Sequence, residues 1–142
     1  MGPAPAKSST IRILVVDDSE IVRKHLGDFL RSADRSFAVC GEAADCRGAL
    51  MKAKELKPDV VILDFALPDG DGIAVAREIC ALPHKAAILM YTMYNSPRLE
   101  LEAAQAGILR VVSKPATSDL IVLLRGLVQA KAPLSSQAPL PG

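Results

Sequence analysis

Short apolar runs alternate along the chain with longer stretches in which apolar residues return every three or four positions. Ile11–Val16 is a run of Ile, Leu and Val (with Arg12) closed by two aspartates. Ser19 then stands where a helix N-cap belongs, and Ile21, Val22, Leu26, Phe29 and Leu30 follow at helical steps. Phe37–Ala43 reads as a second strand, and Asp45 as the cap of a helix running to about Leu56. Val60–Leu63 is apolar at every position, which suits a central parallel strand covered on both faces. Turn residues crowd Leu67–Gly72. Beyond them the pattern predicts a helix from about Ile73 to Leu82 and a strand over Ala86–Tyr91. Asn95 or Ser96 caps the next helix, with Pro97 in its first turn and Gly107 closing it. A short strand over Val111–Ser113 and a last helix from Ser118 to about Gln129 complete the series. Five strand–helix units in strict alternation predict an α/β fold with a parallel sheet and helices on both faces. Residues 1–9 and 131–142 are rich in Pro, Ala and Ser and lack an apolar period. They read as flexible arms around one domain at 10–130, the second resembling the start of an interdomain linker.

Composition narrows the class. The 142 residues fit a single domain, and 50% apolar with 23% charged residues is a globular balance, not a disordered one. Lys and Arg total 17 against 16 Asp and Glu, a formal charge of +1. That balance argues against direct nucleic-acid binding by this chain and against an anionic membrane surface. No apolar run approaches the ~18 residues of a membrane span. Cys40, Cys46 and Cys80 form no CxxC pair and read as small apolar fillers in a reducing compartment. The expected location is the cytoplasm.

The polar residues that matter stand just past the strands, at the edge where open parallel sheets bind ligands. Asp17 and Asp18 follow the first strand, Asp64 the third, Thr92 the fourth and Lys114 the fifth. Three carboxylates brought together repel one another and call for a counter-ion. A hard divalent cation with oxygen ligands answers this, and Mg²⁺ fits best. Lys114 adds a fixed positive charge and Thr92 a hydroxyl donor. The set describes a pocket for a transferring phosphoryl group, with the central Asp64 as candidate nucleophile.

These pieces together resemble a response-regulator receiver domain of two-component signalling, over about residues 10–130. The matching stretches are ILVVDDSEIVR at 13–23, VVILDFALPDGDG at 60–72, ILMYT at 88–92, EAAQAG at 102–107 and VSKP at 112–115. The resemblance implies a flavodoxin-like (βα)5 three-layer sandwich with a five-stranded parallel sheet of order 2-1-3-4-5. It implies that Asp64 accepts phosphate from a sensor histidine kinase or a phosphotransfer protein. Asp18 and Asp64 would hold Mg²⁺ directly, Asp17 through water, and Ala66 would offer its backbone carbonyl. Lys114 would pair with the phosphoryl group and Thr92 would hydrogen-bond it. The Lys114–Pro115 bond would be cis.

Several positions depart from that pattern. The switch aromatic usual three residues before the lysine is replaced by Val111, preceded by Arg110. Met93 stands where a small residue is common, and Ala66 has no side-chain donor to guide an attacking water. Both predict slow self-dephosphorylation and no enzymatic activity beyond it. The last helix carries Leu120, Ile121, Val122, Leu123, Leu124, Leu127 and Val128, more apolar girth than one sheet face requires. A homodimer through the last helices or an output module, for example a DNA-binding one, would use the excess. Two other readings stand beside the phosphoacceptor. One is a degenerate receiver acting as a phosphorylation-independent interaction module. The other is an Mg²⁺-dependent phosphohydrolase, which wants a second carboxylate where Ala66 stands.

Overall fold

The computed structural model describes residues 10–131, apart from the side chains of Pro115 and Lys131. The two terminal arms expected from composition lie outside the described residues.

Five strands form the main sheet: β1 (Ile11–Val16), β2 (Phe37–Ala43), β3 (Val60–Leu63), β4 (Ala87–Thr92) and β5 (Arg110–Ser113). All pairs are parallel, and the strand order is β2-β1-β3-β4-β5. Five helices connect and cover them: α1 (Glu20–Ala33), α2 (Cys46–Leu56), α3 (Gly72–Cys80), α4 (Pro97–Gln105) and α5 (Thr117–Lys131). This is the flavodoxin-like (βα)5 arrangement expected from the sequence. The differences are at the edges. β4 runs one residue further, to Thr92, because it pairs with Ser113 of β5. α3 stops at Cys80, short of Leu82. The turn-rich loop contains a two-residue antiparallel ladder, Ala66–Leu67 with Gly70–Asp71. No cis peptide bond occurs among the described residues, and the expected cis bond at Lys114–Pro115 rests on Pro115, outside the described side chains.

Strand alternation divides the core into two layers. Leu14, Val16, Val61, Leu63, Ile88 and Met90 face α2, α3 and α4, where Ala49, Ala53, Ile73, Ile79, Leu99 and Ala103 meet them. Ile13, Val15, Val60, Ile62, Leu89 and Tyr91 face α1 and α5, against Leu26, Leu30, Leu120, Ile121 and Leu124. Every residue of β3 is buried, and each such side chain contributes roughly 1.5–3 kcal/mol of burial free energy. The apolar surplus of α5 is largely absorbed here. Leu123, Leu127 and Val128 pack partly against the core, and Val122 remains exposed.

The caps follow the side chains that favour them. Ser19, Asp45, Asp71 and Ser96 each accept a backbone N–H in the first turn of α1, α2, α3 and α4. Gly107, with φ +94°, turns the chain after α4 in a conformation that disfavours any Cβ. Arg12 Nη1 donates to the carbonyls of Leu56 and Lys57, satisfying the C-terminal end of α2.

Candidate functional site

Register brings the acidic residues together. Val16 of β1 lies opposite Leu63 of β3, so the next residues, Asp17 and Asp64, emerge side by side. The backbone carries this one step on, with Asp64 N donating to the Val16 carbonyl at 3.1 Å. Carboxylate oxygens of Asp17, Asp18 and Asp64 all lie within 4.8 Å of one another. Asp17 and Asp64 are buried and Asp18 is exposed at the mouth.

Lys114 enters from the far side of the sheet. Its Nζ donates to Asp17 Oδ2 at 2.7 Å and to Asp64 Oδ2 at 3.1 Å. Burial works against the charge on Lys114, yet the hydrogen bonds to Asp17 and Asp64 outweigh it and hold its pKa above the ordinary lysine value. Burial raises the Asp64 carboxyl above the usual carboxylate range, with Lys114 opposing and the Asp17 charge reinforcing the shift. Asp17 has both oxygens engaged, Oδ1 accepting from Ser19 N at 2.9 Å. Arg23 braces the same turn, donating from Nη1 to the Asp17 carbonyl at 2.6 Å and pairing with Glu42 at 2.9 Å.

Asp64 Oδ1 is different. It is buried and has no hydrogen-bond partner, a costly state for a carboxylate oxygen. An all-oxygen donor set with one orphaned oxygen fits a hard divalent cation, and Mg²⁺ suits it. Asp18, whose carboxylate carries no bond to Lys114, is the second free donor of the set. Thr92, fully buried at the end of β4, accepts from Tyr94 N at 3.2 Å. That bond uses a lone pair and keeps the hydroxyl as a donor.

The loop after β3 is held against Asp64 from behind. Gly72 N donates to Phe65 O at 2.6 Å, and a Cβ on Gly72 would stand 2.5 Å from the Asp64 carbonyl oxygen. Only glycine allows this approach. Asp69 ties the loop to α2, accepting from Cys46 N at 2.7 Å and Arg47 N at 3.1 Å. Those N–H groups pull its carboxyl below the usual range. The Cys46 thiol beside it is pushed up to about 12, first by burial and then by the neighbouring carboxylates, which makes it a poor nucleophile. All three cysteines are free.

Every residue expected at the site is therefore at one edge of the sheet, with Ala66 opening the small ladder beside Asp64. Met93 and Tyr94 are 65% and 63% exposed on the loop after β4. Val111 is half-buried and packs on the α4 side of the sheet. Two roles escaped the sequence reading. Asp69 acts through a distant helix, and nothing local in LPDGDG distinguishes it from an ordinary turn aspartate. Tyr91 donates to the Lys114 carbonyl at 3.1 Å and shares a 2.6 Å hydrogen bond with Thr117 Oγ1. Its only sequence signal was an aromatic in an otherwise aliphatic strand.

Comparison with known proteins agrees with this geometry. Residues 13–125 match the family model described as the response regulator receiver domain. The chain is 34% identical over 111 residues to the chemotaxis protein CheY of Thermotoga maritima, covering 78% of this chain and 91% of that one. It is 42% identical over 108 residues to a protein-glutamate methylesterase/protein-glutamine glutaminase of a Nocardioides species. That match covers 75% of this chain but only 29% of the larger protein. It is also 37% identical over 97 residues to the DNA-binding transcriptional activator DevR/DosR of Mycobacterium tuberculosis, spanning 68% of this chain and 44% of that one. Among solved structures, the response regulator domain of Thermotoga maritima CheB superposes with a TM-score of 0.78 at 29% identity, over 84% of this chain and 97% of that one. No helix among the described residues is long and apolar enough to cross a membrane.

Proposed function

The chain belongs to the response-regulator receiver family, and we propose that within it Asp64 accepts a phosphoryl group that switches a protein-interaction surface. The observation that carries the reading is the convergence of three carboxylates, Lys114 and Thr92 around a buried Asp64 oxygen without a partner. Asp64 supplies the nucleophilic carboxylate oxygen. The oxygen of Asp64 left free of the cation attacks the phosphorus of a phosphohistidine on a histidine kinase or phosphotransfer protein, forming a P–O bond as the P–N bond breaks. The imidazole leaves as a neutral ring, its other nitrogen protonated.

Asp18 and Asp64, with the Ala66 carbonyl and with Asp17 through water, would hold Mg²⁺, which when bound offsets the crowded negative charge. Lys114 already spans Asp17 and Asp64 and needs only a small shift to pair with a phosphoryl oxygen. Thr92 donates its hydroxyl to another. The added charge of about −1.5 to −2 then draws Thr92 and Lys114 towards Asp64 and biases a two-state equilibrium of the surface that follows them. That surface controls an output domain or partner, DNA-binding output being the example set by the Mycobacterium relative.

One observation favours a second reading. Val111 offers no aromatic ring to change position, which suits a module that binds a partner without phosphate. Intact mass after incubation with Mg²⁺ and acetyl phosphate separates the two. The phosphoacceptor reading expects one labile phosphoryl adduct, absent in Asp64→Ala. An unmodified wild type with both acetyl phosphate and a phosphohistidine donor would favour the second.

A further inference from the structure

Lys114 has its side chain in the acidic site and its backbone on the other side of the sheet, where a hydrogen-bonded cluster holds it. Tyr91 OH lies 3.1 Å from the Lys114 carbonyl and 2.6 Å from Thr117 Oγ1, and Thr117 Oγ1 donates to the same carbonyl at 2.9 Å. The two hydroxyl protons fill two of this triangle's three contacts at a time. One hydroxyl donates to the carbonyl while the other donates either to the carbonyl or to its hydroxyl neighbour, and Tyr91 is buried at 8% exposure. A buried phenol keeps its ring still, so the triangle fixes the backbone from which the lysine reaches Asp17 and Asp64. Tyr91 is also the neighbour of Thr92 in β4. One strand end thus carries the hydroxyl for the phosphoryl group on one face and the anchor for the lysine on the other.

We infer that Tyr91, with Thr117, is a positioning residue for Lys114 in phosphoryl acceptance. The inference rests on the phosphoacceptor reading above. It also gives β4, β5 and the start of α5 a mechanical link that does not require an aromatic at Val111. When Lys114 shifts towards a phosphoryl group, its carbonyl moves with it, and the first turn of α5 feels the change through Thr117. A cleft of about 450 Å³ beside the triangle, lined in part by Phe29, Tyr91, Lys114 and Thr117, gives the first turn of α5 room to follow.

The test is a pair of conservative variants, Tyr91→Phe and Thr117→Val, read by titration with Mg²⁺ and with beryllofluoride, a phosphoryl mimic. Beryllofluoride affinity should fall about three- to tenfold in each, the range of one lost hydrogen bond. Mg²⁺ affinity should stay at or above wild type, because a loosened Lys114 competes less for Asp17 and Asp64. In a Lys114→Ala background the Tyr91→Phe change should add nothing further. A merely structural role would weaken both ligands together and persist without the lysine, and that result overturns the inference. Wild-type beryllofluoride affinity in both variants overturns it too. Failure of wild type to bind beryllofluoride at all would instead sink the phosphoacceptor reading, and this inference with it.

Discussion

Replacing Asp64 by asparagine should make the protein more stable in the absence of divalent cations. The carboxylate is 6% exposed, has an unpartnered Oδ1, and sits beside the Asp17 charge. An unsatisfied buried polar group costs about 1–3 kcal/mol. Asparagine is nearly isosteric and removes the charge, so desolvation and repulsion both fall. Against that, the charge-assisted bond from Lys114 at 3.1 Å weakens, a loss of about 1 kcal/mol. Lys114 keeps its shorter bond to Asp17 at 2.7 Å. The net expectation is stabilisation by about 1–2 kcal/mol, or about 3–8 °C in Tm for a domain of this size. The pH dependence has a definite sign. Burial raises the Asp64 pKa in the folded state, so the folded chain binds the proton more tightly than the unfolded one. Wild-type stability therefore declines as pH rises from the unfolded carboxylate value through the raised folded value. The advantage of Asp64→Asn is present above that window and vanishes below it. Mg²⁺ should reverse the order, because a ligand at 100 times its Kd stabilises wild type by about 2.7 kcal/mol while the variant lacks one ligand. Thermal unfolding of both proteins at neutral and acid pH, with and without Mg²⁺, measures all of this. Destabilisation of Asp64→Asn in EDTA at neutral pH, or equal Mg²⁺ stabilisation of the two, would refute the reasoning.

Three further outcomes follow from the loop and its supports. Gly72→Ala places a methyl 2.5 Å from the Asp64 carbonyl, so it should weaken Mg²⁺ binding about tenfold or more by displacing the ligand loop, measured by calorimetry. Asp69→Asn should lower Tm at neutral pH by weakening the loop's tie to the first turn of α2. Because the Asp69 pKa is lowered in the folded state by the Cys46 and Arg47 N–H groups, that difference should disappear as pH falls through the acid range. Phospho-Asp64 should decay slowly, because Ala66 offers no donor to an attacking water, and Ala66→Asn should shorten its half-life about threefold or more in a phosphate-release assay.

The elements that were legible in the sequence are those whose signals are local. β3 announced itself by four consecutive apolar residues, and Ser19 and Asp45 by standing before helical periods. The site residues were legible for the same reason: each follows a strand, and parallel register puts strand ends at one edge. What was hidden depends on partners distant in the chain. The extension of β4 to Thr92 comes from pairing with Ser113. The Asp69 tie needs a helix 22 residues away, and the Tyr91 triangle needs a carbonyl 23 residues on. The apolar surplus of α5 was visible as a count, but not its destination. Leu120, Ile121 and Leu124 are buried and their neighbours half-covered, because the sheet face between α1 and α5 is wide enough to take them.

The claim on which the rest depends is that Asp64, and not Asp17 or Asp18, carries the phosphoryl group. Treating the Mg²⁺- and acetyl phosphate-exposed protein with borohydride reduces an aspartyl phosphate to homoserine, and peptide mass mapping then locates it. Homoserine at position 64 alone is the predicted result. Homoserine at position 17 or 18, or none anywhere in a chain that binds Mg²⁺, would contradict it.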